Sequence, residues 1–397
     1  MNILLLTPIY PSSETNPNST KVVHYFTKEW VALGHNVYVI HNYAKFPFPF
    51  YMIPKRIIKK VEAKAGTPIL SDPLSNKDYS LDGVSISRIS IKKRYPHGDY
   101  TKSELRRQYQ KIVQKLDDHQ FIPDIVIGHW ESPQIPLVPQ LKKKFNAKSV
   151  IVFHGDSYIQ KNNKKNIYVD LLKEIDILGF RSITMKRKFE TEFWNPQKSF
   201  ICYSGFPLHL MLSTNEKYIS GNLKNILYVG MLIERKYPEV LLNGVNEFNI
   251  KTKRNIHLEY IGEGSMKKGL MEMAKKNGMD VLFHNRLDRS EVFKRMQFAD
   301  CLVMISKNEV FGLVYLEAMY SKCIVIASKG EGMDGIIIDN HNGFLCEAGS
   351  QDELVDILIH IDSLSIDEKN RIIENAYQTA IRFTDEKVAK LYLDSIH

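Results

Sequence analysis

Apolar positions along the chain fall into two alternating series. Short Ile-, Leu- and Val-rich runs of strand length recur near 2–7, 37–41, 85–91, 124–128, 149–153, 177–181 and 199–202. They resume near 225–229, 257–261, 281–283, 301–305, 323–327 and 343–346. Segments with a 3.6-residue apolar period separate them, so the pattern reads strand–helix–strand throughout. Such alternation predicts an α/β fold of parallel sheets covered by helices on both faces. The alternation breaks between Ser204-Gly-Phe-Pro207 and Gly221, which divides the chain into two doubly wound domains, 1–206 and 207–397, facing a central cleft. Ligands of these sheets collect beyond the carboxyl ends of the strands.

The densest chemistry lies in Glu309-Val-Phe-Gly-Leu-Val-Tyr-Leu-Glu317, where two carboxylates bracket a loop entering a helix. Val314, Tyr315, Ala318 and Met319 fit a helical period over about 312–321, and Cys323 to Ala327 reads as a buried strand after it. Gly312 then sits at the helix N-terminus, where unpaired N–H groups and the dipole suit an anion and a glycine permits close approach. A carboxylate pair acting together on a glycosidic bond stands roughly 5 to 9.5 Å apart. Eight helical residues rise roughly 12 Å, so Glu309 and Glu317 would hold different parts of one elongated ligand. Two solvated glutamates on an amphipathic helix are the alternative.

This stretch resembles the E-x7-E element of retaining family 4 glycosyltransferases, including its Phe-Gly and Glu-Ala-Met. Further segments match in the same chain order. Asn2 to Pro11 resembles that family's first strand and loop, and Leu33 to Ile40 its second strand. Pro123 to His129 and Val152-Phe-His-Gly-Asp156 resemble the strands ending on histidines. Tyr228 to Lys236, Tyr260-Ile-Gly-Glu-Gly264 and Asn342-Gly-Phe-Leu345 resemble elements of the nucleotide-binding half. The resemblance implies the GT-B architecture: an N-terminal acceptor-binding and a C-terminal nucleotide-sugar-binding Rossmann-like domain. A last helix, about 385–395, would pack back on the N-terminal domain.

The resemblance also assigns roles. Arg235 and Lys236 would clamp the donor diphosphate, where fixed cations stabilise the developing charge of the leaving group. Glu309 would contact the transferred sugar or steady its anomeric centre, and His154 would reach sugar hydroxyls from the other domain. His129 is a weaker match of the same kind. Glu317 would accept hydrogen bonds from the ribose hydroxyls. Gly230, Gly262, Phe311, Gly312 and Leu313 would line the nucleotide site, with Gly262 and Gly264 forming the base-side turn. Lys329-Gly-Glu-Gly-Met-Asp334 would line the sugar pocket through Gly330 and Gly332.

Three departures stand out. Met231 follows Gly230 where many relatives carry Arg, which places phosphate neutralisation on Arg235 and Lys236. Ser12 to Thr20 lacks the family's glycine pair, leaving Thr15, Asn18, Ser19 and Thr20 as replacement donors. Asn285 stands where Gly is common, and Asn tolerates the left-handed conformation.

Composition adds partners and compartment. The chain has 397 residues and net charge +9, with 31 Lys plus Arg against 18 Asp plus Glu through residue 200 and 23 against 27 beyond it. A basic front half points to an anionic partner, with Lys-rich solubility as the alternative. Phe46-Pro-Phe-Pro-Phe-Tyr-Met-Ile-Pro-Lys-Arg-Ile-Ile-Lys-Lys60 joins aromatic and cationic residues, so Tyr43 to Lys64 is a candidate contact with anionic membrane; a packed loop is the alternative. Lys92-Lys93-Arg94-Tyr95 and Lys142-Lys143-Lys144 would extend that surface. No nucleic-acid recognition element accompanies the charge. No apolar run reaches membrane-spanning length, which points to a cytoplasmic protein, free or at the inner face of the cell membrane. Cys202, Cys301, Cys323 and Cys346 lack metal or redox spacing and read as buried thiols.

These features predict a metal-independent, retaining hexosyltransferase with no cofactor. It would move a sugar from a nucleoside-diphosphate donor, UDP-sugar ahead of GDP-sugar, to a hydroxyl of a glycan or polyprenyl-linked acceptor in bacterial capsule, exopolysaccharide or lipopolysaccharide synthesis. The alternatives are a non-catalytic GT-B binding partner and another GT-B enzyme, a sugar epimerase or phosphorylase.

Overall fold

The computed structural model describes residues 1–15, 20–54, 56–58, 74–94, 99–155, 168–208, 217–219 and 221–397. The chain divides into two units: Met1–Gly205 with Asp385–His397, and Phe206–Thr384.

The first unit is built on eight strands, β1 (Asn2–Thr7), β2 (Asn36–Lys45), β3 (Lys77–Leu81), β4 (Val84–Lys92), β5 (Ile125–His129), β6 (Lys148–Phe153), β7 (Ile177–Phe180) and β8 (Ser199–Ile201). Their order is β3-β4-β2-β1-β5-β6-β7-β8. All neighbours run parallel except β3 and β4. The central strands are buried along nearly their whole length, as strands covered on both faces must be.

Two differences from the sequence reading occur at the β3 edge. The antiparallel β3 was not expected, because its Lys-Asp-Tyr-Ser-Leu is largely exposed and lacks an apolar run. Its signal was Asp82-Gly83: both residues have positive φ, 48° and 78°, as a two-residue hairpin turn requires. β2 also runs on to Lys45, because β4 pairs with it as far as Lys45↔Lys92. Tyr43 is therefore a buried strand residue, and exposure in the aromatic-cationic stretch begins after it.

The terminal helix, Asp385–Ile396, packs within this unit against the helix Val22–Ala32. Tyr392 meets Phe26 and Trp30 edge-on at 5.2 and 5.0 Å between ring centroids, and Trp30 Nε1 donates to Ala389 O at 3.0 Å. Burying these three large aromatics in mutual contact anchors the helix.

The second unit holds β9 (Asn225–Val229), β10 (His257–Ile261), β11 (Val281–His284), β12 (Cys301–Val303), β13 (Ile324–Ser328) and β14 (Phe344–Cys346). The order is β11-β10-β9-β12-β13-β14, all parallel. The strand order reverses between β9 and β12, so the loops leaving these two strands open a crevice at their carboxyl ends. β12 ends at Val303 rather than 305, and the chain then turns into the loop that carries Glu309.

Among the described residues, no helix is long and apolar enough to cross a membrane. All four cysteines are free and buried.

Candidate active site

At the β9/β12 crevice, the loops after β9 and β10 turn together. Gly230 N donates to Ile261 O at 3.0 Å and Leu232 N to Glu263 O at 2.9 Å. Their backbones pass so closely that a Cβ on Gly262 would lie 1.9 Å from Gly230 O, and one on Gly264 2.2 Å from Leu232 O. Gly262 also adopts φ of 151°, so the crossing demands glycine on two counts. Tyr228 Oη donates to Met231 O at 2.8 Å, which fixes the turn at Met231.

A single 3-10 turn, Glu234–Lys236, follows and leads through a left-handed Tyr237 into the helix Pro238–Thr252. Arg235 is tied to the β12 loop at both ends: its O accepts from Lys307 N at 2.8 Å, and its Nη1 reaches Lys307 O and Asn308 O at 3.4 Å each. Lys236 is only 8% exposed, and its Nζ forms an ion pair with Glu309. The two residues that the sequence assigned to diphosphate and sugar are thus in direct contact.

Glu331, unassigned in the sequence reading, holds the loop around Glu309. Its carboxylate accepts from Asn308 N at 3.0 Å and Glu309 N at 2.7 Å. Gly332 N donates back to Glu309 O at 2.8 Å, and a Cβ on Gly332 would lie 2.4 Å from Phe311 N. The Lys329-Gly-Glu-Gly turn therefore clasps residues 308–311. Phe311 is buried and Gly312, with φ of 84°, starts the helix Leu313–Tyr320. A side chain at 312 would strike the Tyr315 ring at 2.5 Å.

That helix is held from its far end by Lys217, whose Nζ donates to Met296 O, Ala299 O and Ser321 O at 3.0, 2.5 and 3.3 Å. A cation among the last carbonyls of two helices is favourably placed. Inside the helix, Glu317 is 7% exposed and ion-paired with Arg289, the first residue of the helix Arg289–Phe298. Burial pushes the Glu317 carboxyl above the usual carboxylate range, while the Arg289 guanidinium opposes the rise. Arg289 was missed in the sequence; a buried carboxylate calls for a cation, but nothing local says that one 28 residues upstream supplies it.

Asn285 keeps a negative φ, so the turn does not use the left-handed conformation allowed for it. Its Oδ1 instead accepts from Lys267 Nζ at 2.7 Å. Among the described residues, no group of three or more His, Cys, Asp or Glu is placed to hold a metal ion.

His154 belongs to the first unit, just after β6. Its Nε2 lies 2.8 Å from Nδ1 of His129, the last residue of β5, and Tyr392 Oη lies 3.1 Å from the other His129 nitrogen. The Trp130 ring stacks on His154 at 3.8 Å between centroids and 15° between planes. Burial lowers the His129 pKa to about 3, helped by the nearby Arg181 charge, and drives that of His154 well below its ordinary value, so both rings are neutral. Asp156 lies outside the described residues.

The loop after β1 is braced by Arg88, a buried β4 residue that ion-pairs with Glu14 and donates to Ser12 Oγ at 3.2 Å. Thr15 does not serve as a free donor there: its hydroxyl donates to Ser12 O at 2.9 Å. Asn18 and Ser19 lie outside the described residues, as do Lys55 and 59–64 of the aromatic-cationic stretch, and Tyr95. Within that stretch Phe48 and Met52 are 74% and 69% exposed.

Comparison with known proteins places this geometry. Residues 214–379 match the family described as glycosyl transferases group 1. An uncharacterized glycosyltransferase of Methanocaldococcus jannaschii is 25% identical over 278 residues, covering 68% of this chain and 75% of its own. The D-inositol 3-phosphate glycosyltransferase of Corynebacterium glutamicum is 28% identical over 197 residues, 46% of each chain. Among solved structures, the Escherichia coli trehalose-6-phosphate structure bound with UDP-2-fluoro glucose has a TM-score of 0.70 at 10% identity, covering 100% of this chain and 99% of that one. Anabaena HepE in complex with UDP has a TM-score of 0.69 at 16% identity, with coverage of 100% and 99%. Likeness at these identities speaks for the fold, and the family match speaks for the half that carries Lys236, Glu309 and Glu317. Residues 214–379 therefore form a glycosyltransferase group 1 domain, in a chain with the GT-B fold.

Proposed function

We propose that the protein is a retaining, metal-independent glycosyltransferase that moves a hexose-type sugar from a nucleoside-diphosphate donor, UDP-sugar ahead of GDP-sugar, to a hydroxyl of a glycan or polyprenyl-linked acceptor. The observation that carries this reading is the Lys236–Glu309 ion pair, with Lys236 buried and Glu309 partly so, at the β9/β12 crevice inside the segment that matches group 1 glycosyltransferases.

The chemistry follows from the placement of charge. As the bond from the sugar to the diphosphate breaks, the leaving oxygens gain negative charge, and Lys236 and Arg235 are fixed cations that meet it without reorganising. The glycine crossing at Gly230 and Gly262 keeps side chains out of the space beside them, and Gly312 with Leu313 opens a helix N-terminus to the same charge. Glu309, oriented by Lys236 and by its own backbone bonds to Glu331 and Gly332, presents a carboxylate to the transferred sugar. Glu317 takes the ribose hydroxyls and Arg289 keeps it oriented. His154 supplies a neutral hydrogen-bonding group to sugar hydroxyls. The leaving phosphate receives the acceptor proton on the face it vacates, which gives retention.

We place the acceptor in bacterial surface-polysaccharide synthesis at the inner face of the cell membrane. The exposed Phe48 and Met52 beside Lys45 and Arg56 support that placement, since aromatic anchors with flanking cations favour an anionic interface. Loss of sedimentation with anionic vesicles in a Phe48→Ser, Arg56→Glu variant would support it, and unchanged sedimentation would remove it.

The deciding experiment is calorimetry of the purified protein against UDP, GDP, ADP and their sugar conjugates, with and without EDTA. Saturable binding of one nucleotide class that survives EDTA and disappears in Lys236→Ala supports the reading. Binding of none of them would return the non-catalytic alternative. The anomeric configuration of the product, read by NMR, tests retention.

A further inference from the structure

Three side chains of the first unit form one hydrogen-bonded chain: Tyr392 Oη to His129 Nε2 at 3.1 Å, and His129 Nδ1 to His154 Nε2 at 2.8 Å. Tyr392 is 2% exposed, and among the described residues its hydroxyl makes this hydrogen bond and no other. If Tyr392 accepted from His129, its own O–H would be left buried without an acceptor, which costs about 1–3 kcal/mol. Tyr392 therefore donates, and His129 Nε2 must be bare.

His129 is fully enclosed and its ring is neutral, so its one proton sits on Nδ1 and is donated to His154. That leaves His154 Nε2 as an acceptor. His154, also neutral, must then carry its proton on Nδ1. The ring plane is fixed by the stacked Trp130, itself held in a left-handed conformation with φ of 62° and donating from its backbone N to Val152 O at 3.1 Å.

We infer that Tyr392 on the terminal helix is a positioning residue that, through His129, fixes His154 as the Nδ1–H tautomer, so that His154 offers a donor rather than an acceptor at its free nitrogen. This rests on the reading of His154 as a sugar-contacting group only for its consequence in turnover; the tautomer stands on the hydrogen-bond geometry together with the neutrality of both rings. A donor at that position selects for an oxygen lone pair on the bound hydroxyl and leaves the hydroxyl proton free to point elsewhere.

The test is nitrogen-15 NMR of the full-length protein with labelled histidine, His154 being assigned by comparison with His154→Gln. We expect a protonated Nδ1 and a bare Nε2 on His154 in the wild type, and a mixture of tautomers in Tyr392→Phe, which keeps the ring packing. Thermal melting of Tyr392→Phe checks that the helix still docks. If nucleotide-sugar transfer is established, Tyr392→Phe should lower kcat about tenfold with little change in donor KM, the worth of one net hydrogen bond. A proton on Nε2 of His154 in the wild type, or an unchanged tautomer in Tyr392→Phe, would overturn the inference. Absence of transfer alongside the expected NMR result would instead count against the proposed function.

Discussion

Lys236 and Glu309 neutralise one another in the second unit, with side chains only 9% and 16% exposed. Each strips water from the other, so neither can be removed cheaply. Lys236→Met should lower stability by about 3 kcal/mol by leaving a desolvated carboxylate. The double variant Lys236→Met, Glu309→Met should recover most of that loss while binding no nucleotide. Urea denaturation of the three proteins checks this; a double variant no more stable than the single would show that the pair is not energetically coupled.

Glu317 and Arg289 yield a pH prediction. The folded-state pKa of Glu317 is raised by burial, so folding favours its protonated form, and ionisation works against stability as pH rises past the ordinary carboxylate range. Arg289→Leu removes the opposing guanidinium and raises that pKa further. The stability deficit of the variant should therefore be largest at pH 7.5 and shrink toward pH 4.5. An equal deficit at both values would mean that Arg289 acts by packing alone.

Two buried histidines shape the acid limb. His41 and His129 are each pushed down to about 3 by burial, whereas unfolded histidine titrates near 6.5. Their contribution is complete above the unfolded value and is lost as pH falls toward the folded one. Each should add up to about 1.4 kcal/mol per pH unit to the loss below neutrality. Denaturation midpoints at pH 7.5 and 5.5, above most carboxylate titration, should differ in the wild type and differ less in His41→Asn.

Gly262→Ala places a methyl group 1.9 Å from Gly230 O at a φ of 151°. Backbone cannot yield as a side-chain tip can, so the β9 and β10 turns must separate. We expect a lower melting temperature together with loss of nucleotide binding. Gly269→Ala, where a Cβ meets nothing within 4 Å, is the control and should bind normally.

The alternation of strands and helices was legible because period-2 and 3.6 signals survive wherever a strand is buried on both faces. The β3 strand escaped because an exposed edge has no such need. Site residues were legible one at a time through their resemblance, but their pairing was not. Lys236 and Glu309 are separated by 73 residues, and Arg289 and Glu317 by 28. Contacts of that span are set by sheet order, which no local pattern encodes. Glu331 shows the same limit, since its role is to hold backbone N–H groups of a loop 22 residues earlier.

The first unit contains Asp385–His397, and within it Gly205 packs against the backbone of Asp385. Phe206 N, in turn, donates to Phe383 O inside the second unit at 3.1 Å. The second unit is thus an insertion whose two ends meet, and during synthesis the first unit waits for the whole of it. Tyr392 emerges after it, so the His129–His154 pair gains its hydrogen-bond donor only after the second unit has been made. A chain truncated before Asp385 would keep every side chain of the Lys236–Glu309 site and lack the one that sets the tautomer of His154.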